Sequence, residues 1–317
     1  MRYAQTPFQS DLRYVSSPNT LPTASNDVVY HHAYSYLNTQ WATNWRSWQI
    51  TPRVYVTHHA QSLHNRLSAD RMKQSNVVIE PILQISRSLN RFAFITFNTA
   101  YSRRPIAREH IFSQPVFTSH RTHVSAIPSL ELQSTWNASL NLFSNNLEKG
   151  TELQLTNSYQ NVKGAFFNSM AIDENLFLIQ HFYMPQELNR YTSTWKLAKF
   201  FNSINTRLEY DGGFDYLRNF NFINQSGMRR NQHYMLRQSL SLRTVLSGPL
   251  NFYASGNWVW NQSGSQDQRF QNQMLVLTQR SIWRPSKSWV MNLDWNYHIP
   301  ALHIPEESYL FSDFNLS

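Results

Sequence analysis

Hydrophobic and polar residues alternate along much of this chain. In the run 129–142, Leu130, Leu132, Trp136, Ala138, Leu140 and Leu142 share one parity, broken by Ser134. Ser129, Glu131, Gln133, Thr135, Asn137, Ser139 and Asn141 share the other. Successive side chains on a strand point to opposite faces, so this pattern predicts a strand with one apolar and one polar face. It recurs in Trp48, Ile50, Pro52, Val54 and Val56 against Gln49, Thr51, Arg53, Tyr55 and Thr57. It recurs again in 204–216, 234–246, 250–260 and 289–298, and more weakly at about 8–15, 28–40, 75–87, 91–103, 150–170, 176–198, 268–283 and 307–317. Each run is about ten residues long, the length a tilted strand needs to cross an outer membrane.

The joins between these runs alternate in length. Short ones are expected near 41–45, 87–91, 143–149, 199–203, 247–249 and 284–288. Long ones are expected at 16–27, 58–74, 102–128, within 160–190, and at 217–229, 261–268 and 299–306. Short turns on one side and long loops on the other mark an antiparallel transmembrane β-barrel. About fourteen strands are expected, beginning and ending on the short-turn side. Trp41, Trp45 and Trp48, then Trp283 and Trp289, flank two of the short turns, and Trp258 and Trp260 approach a long loop. Amphipathic rings prefer the headgroup level, so these positions predict two aromatic girdles.

Composition agrees. Aromatic residues make up 15% of the 317 and charged residues 15%, against about a quarter charged in an ordinary soluble domain. No window is apolar enough for a membrane helix, which leaves a closed barrel as the spanning option. A mean hydropathy of −0.51 is what alternating faces average to. The net charge of +9 comes from Arg and Lys scattered singly, apart from pairs such as Arg103-Arg104 and Arg229-Arg230, so nucleic acid is not the expected partner. Attraction to anionic headgroups or solutes accounts for it instead. There is no cysteine, hence no thiol metal site, disulfide or thiol nucleophile. The opening Met1-Arg2-Tyr3 is not a secretory leader, so the leader is expected to have been removed, or the chain to be a fragment.

Four short motifs resemble the C-terminal part of the barrel of TonB-dependent outer-membrane receptors, particularly those of Bacteroidetes. They are Tyr101-Ser-Arg-Arg-Pro105 ending a strand, Pro128-Ser-Leu-Glu-Leu132, the turn Trp283-Arg-Pro-Ser-Lys287, and Asp313-Phe-Asn-Leu316 opening a last strand. The resemblance implies a bacterial outer-membrane location, a barrel of about twenty-two strands, and uptake of a scarce nutrient such as an iron chelate, vitamin or oligosaccharide. It also implies a signal peptide, a plug domain and a segment engaging the TonB complex, which this sequence lacks, and Ser317 is not the usual terminal aromatic. Residues 1–317 are therefore expected to form one partial barrel domain.

For ligand capture the aromatic and basic loops are the candidates: Phe112, Phe117 and Arg121, and Phe214, Arg218 and Phe222. Aromatic faces take sugars or planar chelates, and Arg grips carboxylates. Arg53, Glu80, Glu131, Arg207, Glu209, Asp211, Arg237 and Arg243 are expected to line a lumen and tune which solutes it admits. Histidines at 31–32, 58–59, 64, 110, 120 and 123 match no closed ligand spacing, so neither metal nor cofactor is expected. No nucleophile elbow or phosphate loop occurs, so no enzyme is expected. The rivals are a complete fourteen-stranded passive channel, a soluble β-rich carbohydrate-binding module such as a lectin, and, last, a phospholipase-type barrel.

Overall fold

A computed structural model describes residues 2–11, 25–66, 70–105, 116–119, 121–173, 176–223, 227–265, 268–286, 289–302 and 305–316. The all-β, antiparallel class expected from the alternation is what the chain adopts. The chain enters through β1 (Arg2–Asp11), β2 (Ser25–Gln40), β3 (Thr43–Trp45), β4 (Trp48–Asn65), β5 (Arg71–Asn90) and β6 (Ala93–Arg104). Two short strands follow, β7 (Val116–Ser119) and β8 (Thr122–Ala126). The wall then resumes with β9 (Gln133–Asn146), β10 (Thr151–Asp173), β11 (Leu176–Phe201), β12 (Thr206–Ile223) and β13 (Arg229–Thr244). It ends with β14 (Leu250–Gly264), β15 (Arg269–Ser286), β16 (Trp289–Ile299) and β17 (Tyr309–Leu316).

Each wall strand pairs antiparallel with its neighbour in sequence, and β6 pairs directly with β9 across the excursion of β7 and β8. β3 continues β2 in the same register against β4. The interruption falls opposite Pro52, which has no N–H to give; its carbonyl still accepts from Trp41 N at 3.3 Å. Setting β3, β7 and β8 aside, fourteen of the seventeen strands among the described residues form the wall. Among the described residues β1 pairs with β2 alone and β17 with β16 alone.

The registers sort the two faces. Val56 stands opposite Ile79 and Leu37, Ile85 opposite Ile50 and Phe97, and Leu140 opposite Phe97 and Asn157. Further round, Leu240 meets Tyr210 and Gly256, and Leu277 meets Gly256 and Tyr297. This apolar face is bare: Val77 is 68%, Ile79 62% and Leu240 52% exposed. The opposite face is polar, and on it lies the core cluster of Val28, Tyr30, Leu63 and Leu130, with Phe166 packed against it. The hydrophobic core is thus on the inside, and the apolar band faces out.

The turns sit a few residues from their expected places. The first lies at Arg46 and Ser47, with Arg46 in the left-handed region at φ 55°. Others lie at 91–92, 147–150 and 202–205. Several expected long loops are instead continuations of strand. β4 runs through 58–65, β10 and β11 run to Asp173 and from Leu176, and β12 reaches Ile223. Past the apolar band β4 carries polar groups on both faces, while distal β10 and β11 carry apolar groups on both, so alternation stops while backbone pairing goes on.

The β10–β11 hairpin also changes partners along its length. Up to the pair Lys163 and Glu187 the order is β9, β10, β11, β12. Gly164, at φ 71°, then shifts the register by one against Pro185 and Gln186. Beyond it β11 pairs in parallel with β8, Phe177 opposite Thr122, and β10 pairs in parallel with β12, Ser169 opposite Phe222. The distal hairpin has turned over, exchanging its edges, and Ala165 and Phe167 are buried by the turn.

Candidate functional site: the polar inner face

Three groups of charged side chains line the inner face. Nearest the short turns, Arg207 donates through Nε and Nη2 to Glu209 Oε2, at 3.1 and 2.9 Å, and through Nη2 to Glu152 at 2.9 Å. Lys196 Nζ lies 3.5 Å from both carboxylates, and Asp211 stands opposite Lys196 in register. Arg243 is opposite Arg207. Farther along, Asp215 accepts from Thr192 Oγ1 at 2.8 Å and lies between Arg237 at 3.5 Å and Arg190 at 3.8 Å. On β15 and β16, Arg280 Nε donates to Asp294 at 2.6 Å. These pairs sit in partial solvent, where each adds little stability by itself. Their effect is a face of fixed, closely balanced charge.

On β2 and β4 the inner face is aromatic. Every second residue of β2 from Tyr30 to Tyr36 is a ring: Tyr30 and His32 stack with centroids 6.5 Å apart, His32 and Tyr34 at 5.8 Å, Tyr34 and Tyr36 at 6.2 Å. From β4, His59 lies parallel to His32 at 5.4 Å, with Nε2 of His32 3.1 Å from Nδ1 of His59, and Tyr55 tilts against Tyr36 at 6.1 Å. The ladder ends beside Arg53, which donates to Tyr55 Oη at 3.3 Å. At its far end Gln61 ties the ladder to the excursion after β8. It accepts from Tyr30 Oη at 2.8 Å and donates to the Leu130 carbonyl at 2.9 Å. Burial pushes the Tyr30 phenol up to about 12. His32 and His59 lie beyond the apolar band and are both held below the ordinary imidazole value. Burial is the main cause, reinforced by His59 for His32, and by His58 and Arg103 for His59.

The residues expected to line a lumen fall here with two qualifications. Arg53, Arg207, Glu209, Asp211, Arg237 and Arg243 have the inner parity. Glu80 does too, and its carboxylate accepts the backbone N–H of Arg103 at 2.7 Å, capping the place where β6 runs past its ladder with β5. Glu131 is not on a strand, because β9 begins at Gln133. The flanking Leu130 and Leu132, read as part of the bare apolar face, are 3% and 2% exposed. An alternating segment tucked against the inner wall carries the same signature as one facing outward.

The expected capture loops are corrected more heavily. Phe214, Arg218 and Phe222 are in β12, not in a loop. Phe214 and Arg218 share the outer parity with Tyr210; Phe214 packs on Tyr191 at 6.1 Å, and Arg218 stands opposite Asn189. Phe222 meets Phe182 edge-on at 5.1 Å. Ring packing within the wall engages Phe214 and Phe222. Phe112 lies outside the described residues. Phe117 is in β7, and Arg121 is exposed in the turn before β8, its carbonyl accepting from Phe177 N at 2.7 Å. Among the described residues no group of three or more potential metal ligands gathers.

Sequence pattern puts Asp215 on the polar side of its run with Arg207, Glu209 and Asp211, but it singles out neither Glu152, Lys196 and Arg190 nor the aromatic ladder. The ladder had a legible signal, a ring at every second position from 30 to 36.

No family model matches the chain, and no curated protein matches it. Among solved structures it is similar to the ferric enterobactin receptor of Pseudomonas aeruginosa in two mutant forms, each in complex with enterobactin. For one the identity is 11%, the TM-score 0.45, and the match covers 88% of this chain and 50% of the receptor. For the other the values are 10%, 0.44, 86% and 49%. The chain thus spans about half the length of these receptors, and a likeness of this depth bears on neither activity nor ligand.

Proposed function

We propose that this chain is the wall of a bacterial outer-membrane transport barrel, a receptor for uptake of a small molecule. The observation that carries the reading is the sorting of the two faces: an apolar band bare on the outside, and charge, aromatic rings and the described core cluster within. On β4 the band runs over 48–56 and on β5 over 77–85, the length of about nine residues that a tilted strand needs to cross a bilayer. Bare apolar surface on this scale is costly in water and favoured in lipid. It counts against a soluble carbohydrate-binding module, whose apolar face would be covered.

Strand edges left open in hydrocarbon are untenable. Among the described residues β1 and β17 have one partner each, which favours a wall continued by further strands over a closed fourteen-stranded passive channel. In the intact protein the barrel would carry a plug and depend on the TonB complex through a segment preceding these residues. The aromatic ladder with Gln61, Arg53 and Glu80 around it supports a ligand with flat faces and polar edges, such as an iron chelate, vitamin or oligosaccharide.

Fractionation of expressing cells tests the location. The chain should sediment with outer membranes and resist extraction by alkaline carbonate; a monodisperse, detergent-free soluble form would overturn the reading.

A further inference from the structure

The outer face has an indentation beside the first short turn. A groove of about 360 Å³ opens there, flanked by Trp45 and Trp48 and floored by Ile50, Ile85, Ile95 and Phe97. All six side chains have the outer parity, so the groove belongs to the apolar band and not to the inner face. Its turn-side end carries two cations. The Arg46 guanidinium carbon lies 5.6 Å from the Trp45 ring centroid, and that of Arg87 5.0 Å from the Trp48 ring centroid. Nearby Arg91 rests on Phe92 in the same way, but Glu148 holds it through Nη2 at 2.9 Å. Among the described residues no carboxylate pairs with Arg46 or Arg87.

A guanidinium resting on an indole keeps its in-plane N–H donors available, and those donors match phosphate oxygens. We propose that this groove holds one phospholipid of the leaflet on the short-turn side, an acyl chain lying along Ile50, Ile85, Ile95 and Phe97 and the phosphodiester between Arg46 and Arg87. A free anion would have no use for the apolar floor, and an uncharged apolar ligand none for the two cations. The two features together fit an amphiphile with a phosphate at one end, at the depth where tryptophans mark the headgroup level. The site rests on the reading of the band as lipid-facing.

Tryptophan fluorescence of the full chain in detergent micelles tests it, with quenching by phosphatidylglycerol brominated on its acyl chains compared with equally brominated diacylglycerol, which lacks the phosphate. The expected result is saturable quenching by the phospholipid at concentrations about tenfold lower than by the diacylglycerol, a difference of about 1.4 kcal/mol. The double variant Arg46→Gln/Arg87→Gln should erase that difference, and Trp45→Phe/Trp48→Phe should erase the saturable component. Equal quenching by both lipids, or an undiminished preference in the arginine variant, would overturn the site and leave the membrane reading standing. Absence of quenching by either lipid in micelles and in vesicles would overturn both.

Discussion

Gln61 is the residue on which the mouth of the inner face depends, because it satisfies two buried groups at once, the Tyr30 hydroxyl and the Leu130 carbonyl. Removing it strands both, and a buried polar group without a partner costs about 1–3 kcal/mol. Gln61→Ala should therefore destabilise the packing of 127–132 by more than Tyr30→Phe, which removes a donor cleanly and should cost about 1 kcal/mol. Amide hydrogen exchange at Leu130 and Leu132 reads the difference. The stacked pair His32 and His59 adds a pH dependence. Both resist protonation when folded, so the unfolded form binds more protons. The stability they contribute is complete above the ordinary value of 6.5 and is lost as pH falls below it. Protection of the same amides, corrected for intrinsic exchange, should fall between about pH 7 and pH 5, and His59→Gln should flatten that fall.

At the scale of elements, what was legible in the sequence is what the outer environment imposes. Alternation located the wall strands because one face must be apolar across the band. It also placed Arg207, Glu209 and Asp211 on the opposite face by parity alone. It did not single out Glu152 and Lys196, although Leu153, Leu155, Trp195 and Leu197 beside them hold the outer parity, because alternation fails over the rest of these two long strands. It could not find the turned-over hairpin, which depends on one glycine. A Cβ at Gly164 would stand 2.5 Å from Tyr183 Oη on a backbone at φ 71°. Gly164→Ala should cost about 1–3 kcal/mol and loosen the β8–β11 contact, visible as faster exchange at Phe177. Neighbouring residues of β13 separate the faces most sharply. Leu240→Arg puts a charge on the bare band and should destabilise the protein in bilayers by about 2–4 kcal/mol. Ser241→Arg, facing Glu209 across the inner ladder, should be close to neutral. Urea unfolding in vesicles compares the two.

For the whole molecule, the sheet is arranged inside out relative to a soluble β-sandwich, whose apolar faces meet each other. Its described core is a patch at one end of the inner face, where the excursion after β6 and the turned-over hairpin fold back on β2 and β4. The remainder of the inner face is polar, and among the described residues nothing covers Val77, Ile79 and Leu240 of the outer band. On the proposed reading such a sheet is stable in lipid with its edges paired to further strands, and a solute would pass along the aromatic ladder and the charged groups.

The most direct test of this arrangement is a spin-label scan of β13 from Leu236 to Arg243 in lipid vesicles, measuring collision with oxygen, which concentrates in the bilayer, and with a water-soluble nickel chelate. Labels at 236, 238, 240 and 242 should collide with oxygen and be shielded from nickel, and labels at 237, 239, 241 and 243 should show the reverse. The opposite phase, or no alternation at all, would contradict an apolar band that faces lipid.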